Sequence, residues 1–123
     1  GTDLTLAATG LMVGEALKAA DSLKSQGISA RVLDIHTIKP LDTELILKAA
    51  KETGRIITIE EHSVIGGLGE AVCSFLSEVC PTPVTKMGVN DVFGHSGSAV
   101  DLLKEFGLSA EHIEAVVKKA LGK

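Results

Sequence analysis

The residues best suited to chemistry lie in the segment 55–72, where a short apolar run ends in two carboxylates and a histidine. Residues 56–59 are β-branched and lack polar alternation, which predicts a strand buried on both faces of a parallel sheet. Glu60, Glu61 and His62 would then follow at its carboxyl end. In open α/β sheets this is the edge where ligands and partners dock, so a functional site is expected there.

Several roles are open to these polar residues. Two carboxylates can form a general acid–base pair, but adjacent residues on an extended chain point to opposite faces, so at most one of Glu60 and Glu61 faces a given site. His62 is the best single candidate for acid–base chemistry, because the charge of a histidine changes near neutral pH. Contact with a neighbouring domain or subunit and a local structural role are the alternatives for His62.

A glycine-rich turn and the start of a helix follow the histidine. The helix is predicted over 68–79 from its apolar stripe. Glycine lets the chain turn tightly and lets a helix start lie close against another backbone. The glycines of this turn are Gly66, Gly67 and Gly69.

The glycine run does not complete a dinucleotide-binding fingerprint. GxGxxG needs glycine or alanine at its last position, and the segment 67–72 ends in Val72. A helix start attracts anions, but Glu60, Glu61 and Glu70 already surround this one, and no lysine or arginine lies nearby in sequence. A phosphate site is therefore disfavoured. A tight turn, with Glu70 stabilised by the helix dipole, is the simpler interpretation.

The remaining histidines, serines and cysteines form no complete catalytic set or metal-ligand cluster. Ser96 is not a nucleophile elbow, because the sequence around it is GHSGS and the elbow requires GxSxG. Cys73 and Cys80 would lie about 10 Å apart along a helix axis, beyond the reach of a disulfide, and are expected to be reduced. The weaker histidine candidates are His36 and His95 in loops and His112 on a solvated helix face.

Composition excludes several classes of function. The chain has 123 residues, 45% of them hydrophobic, which indicates one domain of ordinary size. A net charge of −4 without a basic block, and the absence of Trp and Tyr, argue against nucleic-acid binding. No apolar run reaches the roughly 18 residues that span a bilayer, and no signal peptide is evident, so we expect a cytoplasmic protein with no membrane partner. The start at Gly1, without methionine, suggests a piece of a longer polypeptide.

Strands and helices are predicted to alternate along the chain. This order favours an α/β fold with a mostly parallel sheet covered on both faces. Asp42 and Ser109 are placed to cap helices, and there is room for a fifth strand around 91–93. The four clear strands are 4–8, 30–35, 56–59 and 84–89, and the helices lie before Gly27, between Asp42 and Gly54, over 68–79 and 99–106, and after Ser109.

Three segments in their order along the chain resemble the C-terminal domain of transketolase. They are RVLDIHTIKPLD (31–42), GRIITIEEHSVIGGLGEAV (54–72) and SGSAVDLLKEFGLSAEHI (96–113). The superfamily includes 1-deoxyxylulose-5-phosphate synthase and the β subunits of 2-oxo acid dehydrogenases, but the TIKPLD and LLKEFGL motifs look closer to transketolase. The resemblance implies a single three-layer α/β/α domain around a mostly parallel mixed sheet of about five strands, one of them antiparallel.

The resemblance also implies a parent enzyme that uses thiamine diphosphate and magnesium to move a two-carbon ketol unit between sugar phosphates. Because the cofactor motifs and reacting groups of this family lie in other domains, no catalytic or cofactor-binding residue is assigned here, and the chain alone is not expected to be active. In the family, the glycine loop packs near the domain and subunit interface. The whole domain is therefore expected to organise a homodimer and to support the cofactor-binding domains. The interface or loop candidates are Glu61, His62, Gly66, Gly67, Gly69 and Glu70.

Other interpretations stay open at the level of sequence. One is a regulatory module that binds an anion or nucleotide, which tight ligand binding by the isolated chain would favour. Another is the C-terminal domain of 1-deoxyxylulose-5-phosphate synthase or of a 2-oxo acid dehydrogenase β subunit, which the preceding domain would distinguish. The role of the loop 94–98 is also open, since His95 and Ser98 differ from the residues expected around the family's SG pair.

Overall fold

The fold alternates strands and helices, as the sequence predicts. The structure, a computed structural model, describes residues 1–10, 12–36, 40–63, 67–89 and 109–123, and gives only the backbone at 61–63 and 89. The elements in order are β1 (Leu4–Ala8), α1 (Met12–Lys24), β2 (Ala30–Asp34), α2 (Thr43–Thr53), β3 (Ile56–Ser63), α3 (Leu68–Val79), β4 (Val84–Val89) and α4 (Ala110–Ala120).

The described strands form one parallel sheet in the order β2-β1-β3-β4. The α/β class and the parallel pairing are confirmed. An antiparallel strand is not among the four described here. The strand expected around 91–93 and the helix expected over 99–106 lie outside the described residues.

Helices cover both faces of the sheet, so the three-layer arrangement is confirmed. The apolar side chains of β1 and β3 point alternately into two separate cores, which is why these central strands lack polar alternation. The core under α1 and α4 includes Leu4, Leu6, Ile57, Ile59, Met12, Ile113 and Val117. The core under α2 and α3 includes Ala7, Ile56, Ile46, Leu68, Val72 and Leu76.

Helix α2 begins and ends at the residues that its sequence marks as helix caps. The Asp42 carboxylate accepts a hydrogen bond from the amide of Leu45 at 3.1 Å, as the N-cap prediction requires. Gly54 ends the helix in the left-handed conformation, with φ of 71°. Ser109 occupies the N-cap position of α4, as predicted, but its side chain makes no capping hydrogen bond.

An ion pair ties the edge strand β2 to α2. Arg31 Nη1 donates to Glu52 Oε1 at 2.6 Å, and this hydrogen bond holds the pKa of Glu52 below its ordinary value of 4.5. Because the pKa of the folded state is depressed, the pair contributes stability above the unfolded pKa of Glu52. That contribution is lost as the pH falls through the folded pKa.

Removing the arginine tests this linkage. In Arg31→Gln, the pKa of Glu52 is expected to rise toward its ordinary value. The variant should then lose less folding stability than the wild type when Glu52 is protonated at acid pH. A carbon-detected NMR titration of the Glu52 carboxyl measures the shift, with Lys24→Gln at the end of α1 as the matched control. An unchanged Glu52 pKa in Arg31→Gln would show that the ion pair does not form in solution.

None of the helices within the described ranges is long and apolar enough to cross a membrane.

Candidate functional site at the carboxyl end of β3

Strand β3 is longer than the sequence pattern predicts. It runs to Ser63, so Glu60, Glu61 and His62 belong to the strand instead of following its end. Its pairing with β4 shifts register between Ile59 and Ser63, which marks an irregularity in this last part. The three polar residues therefore lie on a central strand of the sheet, at its carboxyl edge.

Glu60 is a buried capping residue. Its side chain is 1% exposed, Oε1 accepts a hydrogen bond from the amide of Leu68 at 3.0 Å, and Oε2 accepts one from the amide of Gly69 at 2.9 Å. Helix α3 has Gly67 at its N-cap, which offers no capping side chain. Glu60 therefore supplies from the strand the acceptors that the first amides of the helix lack, and its charge faces the positive end of the helix dipole.

The sequence pattern suggests acid–base chemistry as one role for Glu60 and does not place it among the interface or loop candidates. A carboxylate that accepts two backbone amides in the protein interior is suited to holding a helix in place. The sequence signal for this capping role is the glycine at the N-cap of α3, since a helix start without a side-chain cap needs an acceptor from elsewhere.

The predicted interface and loop residues fall around this capping interaction. Glu61 and His62 contribute described backbone at the end of β3, while Gly66 lies outside the described residues. Gly67 is the N-cap of α3, and Glu70 is exposed in its first turn, as expected for a carboxylate near the helix dipole. The structure thus brings Gly67, Gly69 and Glu70 together with the backbone that carries Glu61 and His62.

Gly69 permits a close approach between α3 and the sheet. A Cβ at this position would lie 2.6 Å from Lys86 Cγ and 2.8 Å from the Thr58 hydroxyl oxygen, both well inside van der Waals distance. The helix start is closely packed at this residue, but the neighbouring atoms belong to side chains, whereas the sequence predicts an approach to backbone. The Thr58 hydroxyl is buried and has no hydrogen-bond partner among the described residues.

This arrangement does not fit a phosphate or diphosphate group. The amides of Leu68 and Gly69 that would receive such an anion already bind the Glu60 carboxylate, which an incoming anion would have to displace. In the part of the chain that the structure describes, no group of three His, Cys, Asp or Glu residues could hold a metal ion. The described residues at this edge can pack and position, but they form no cradle for thiamine diphosphate.

A second feature of the carboxyl edge is a cleft of about 380 Å³ between the end of β2 and the start of α2. Ile35 and Leu45 line it together with His36, whose Nε2 lies 3.7 Å from Asp34 Oδ2. The His36 side chain is 83% exposed, so this pair is a solvated surface contact. The cleft borders the TIKPLD motif, of which residues 37–39 lie outside the described residues.

The other histidine and cysteine candidates lie at exposed or half-buried positions where the structure describes them. His112 is exposed on α4, as predicted. Cys73 and Cys80 are free and half-buried, which agrees with the expectation that they are reduced. His95, Ser96 and the rest of the loop 94–98 lie outside the described residues.

Comparison with known proteins places this arrangement in a family. Residues 1–113 match the family model described as transketolase, C-terminal domain. The chain is 50% identical over 113 residues to a 6-deoxy-6-sulfo-D-fructose transketolase subunit of Clostridium sp. strain MSTE9, covering 92% of this chain and 35% of that protein. It is 42% identical to 1-deoxy-D-xylulose-5-phosphate synthase of Heliobacterium modesticaldum, covering 97% of this chain and 18% of that protein.

A solved structure shows the same fold. A split gene transketolase, in an inactive β4 tetramer, superimposes with a TM-score of 0.90 and 51% sequence identity, covering 99% of this chain and 39% of that chain. The chain therefore spans well under half the length of the relatives it matches. The fold, the sequence motifs and the family-model match over residues 1–113 all indicate the same family. The chain belongs to the transketolase C-terminal domain family.

Proposed function

We propose that this chain is the C-terminal domain of a split-subunit transketolase, which transfers a two-carbon ketol unit between sugar phosphates. Within that enzyme the chain acts in assembly and in support of the active site, and the reacting groups lie in other domains. Two relatives support the split arrangement, since one is a transketolase subunit and the other a split gene transketolase.

One structural observation carries the assembly role. At the carboxyl edge of the sheet, where α/β proteins bind ligands, the helix amides that would hold an anion are engaged by Glu60. An edge whose anion-binding groups are filled by the protein's own carboxylate is better suited to contact another protein surface than to bind a charged substrate. This favours assembly over a regulatory anion-binding module.

The cofactors belong to the parent enzyme in this proposal. Thiamine diphosphate would supply the carbanion chemistry, and magnesium would bind its diphosphate, both in domains outside this chain. Within the described residues, the chain contributes a rigid sheet and a helix start to the surface that supports those domains.

The partner in this proposal is the subunit that carries the cofactor-binding domains, and a pair of such assemblies makes the dimer expected of the parent. An inactive assembly of a split gene transketolase is consistent with a division of the reacting groups between subunits. Glu61, His62, Gly66, Gly67, Gly69 and Glu70 are proposed to lie at or beside the contact.

A second candidate parent follows from the relative that is a 1-deoxy-D-xylulose-5-phosphate synthase. The two parents differ in product. Formation of a ketose phosphate that carries a hydroxyl group on C1 supports transketolase, which transfers a ketol unit. Formation of 1-deoxyxylulose 5-phosphate, which lacks that hydroxyl, supports the synthase. Product identification by mass spectrometry separates them.

An interface variant tests the assembly role. In the complete polypeptide that carries this chain, replacing Glu61 and His62 together by alanine is expected to weaken association with the cofactor-binding subunit by about tenfold or more. Analytical ultracentrifugation gives the affinity, and circular dichroism shows that the variant is folded. Glu78→Ala, at the exposed far end of α3, is the matched control and should leave the affinity unchanged. If the double variant associates with wild-type affinity, the carboxyl edge is not part of the interface.

A further inference from the structure

We infer that Glu60 is a positioning residue for the interface proposed at the carboxyl edge, and that subunit association depends on its carboxylate although the side chain touches no partner. The inference rests on the proposed function. Glu60 is 1% exposed, so an effect on association would have to pass through the groups that it holds. Those groups are the end of β3 and the start of α3.

The Glu60 side chain links β3 to α3 where the two elements meet at the carboxyl edge of the sheet. One planar carboxylate receives the amide of Leu68 on one oxygen and the amide of Gly69 on the other, at 3.0 and 2.9 Å. Two hydrogen bonds to one rigid group restrict rotation as well as distance. The strand residue that precedes Glu61 is thereby tied to the first turn of α3.

Helix stability alone does not require this arrangement. Helix α2 of the same chain is capped locally, by Asp42 directly before its first residue. A similar side chain at position 67 would satisfy α3 in the same way and would avoid burying a carboxylate, which is costly. Position 67 is instead glycine, and the acceptor comes from eight residues earlier than Leu68, on the strand. A cap that comes from β3 fixes the position of the strand relative to α3. A cap from the residue directly before the helix would not do this.

Glu60→Gln is the variant that isolates this role. Glutamine keeps the length and one acceptor oxygen, but its NH₂ group would face an amide donor, so one of the two hydrogen bonds is lost. In the complete polypeptide, at a temperature where circular dichroism shows it folded, association with the cofactor-binding subunit should weaken about tenfold. Gly54→Ala, which strains the end of α2 at the opposite edge of the sheet, is the control and should keep the affinity within about twofold.

A double-variant cycle separates positioning from general destabilisation. If Glu60 acts through the end of β3, Glu60→Gln should weaken association little further once Glu61 and His62 have been replaced by alanine. Wild-type affinity in Glu60→Gln, or full additivity in the cycle, would overturn the inference. Failure of the wild-type subunits to associate would instead count against the proposed function, so the two failures are distinguishable.

Discussion

Replacing Gly69 by alanine is expected to lower the free energy of unfolding by about 2 kcal/mol. The added methyl group would lie 2.6 Å from Lys86 Cγ and 2.8 Å from the Thr58 hydroxyl oxygen. The Lys86 stem is flexible and exposed, so it can move aside. Thr58 is fully buried on β3, so relief there requires the start of α3 to move away from the sheet. Chemical denaturation measures the change.

Two comparisons make this prediction specific. Gly14 lies in α1, where a methyl group in place of its hydrogen would meet nothing within 4 Å, so Gly14→Ala should stabilise the protein by about 0.5–1 kcal/mol through helix propensity. In a Thr58→Ala background, Gly69→Ala should cost about 1 kcal/mol less, because one of the two steric conflicts is gone. If Gly69→Ala is stabilising like Gly14→Ala, the close packing of α3 on β3 and β4 is wrong.

Much of the fold could be predicted from local patterns. The β-branched run at 56–59 predicted a buried central strand, and Asp42 and Gly54 marked the ends of α2 at the residues where the structure has them. These features depend on a few neighbouring residues. Alternation of strands and helices then leaves few topologies other than a parallel sheet with two covered faces.

The extent of β3 could not be predicted in this way. The apolar β-branched run stops at Ile59, so the sequence pattern places Glu60 after the strand, and a buried carboxylate is rare without partners. Its partners are the amides of residues 68 and 69, which become available only when α3 packs against the sheet. The capping role of Glu60 is therefore a tertiary property. Gly69, by contrast, was correctly predicted as a site of close packing.

The largest expected effect concerns turnover, which should require domains outside this chain together with the chain itself. We expect no two-carbon transfer by the 123-residue chain supplied with thiamine diphosphate and magnesium. The described residues provide no metal-ligand cluster, and Glu60 engages the helix amides that a diphosphate would need. Adding the remaining domains of the parent enzyme should restore turnover, because we propose that the chain supplies the surface against which they assemble.

The measurement that tests this account most directly is transketolase turnover of the chain alone, of the remaining domains alone, and of the two mixed. Formation of the product sugar phosphate gives the rate under each condition. Turnover that appears only in the mixture is the predicted result. Turnover by the chain alone would contradict the claim that the reacting groups lie elsewhere, and equal turnover with and without the chain would contradict its role in assembly.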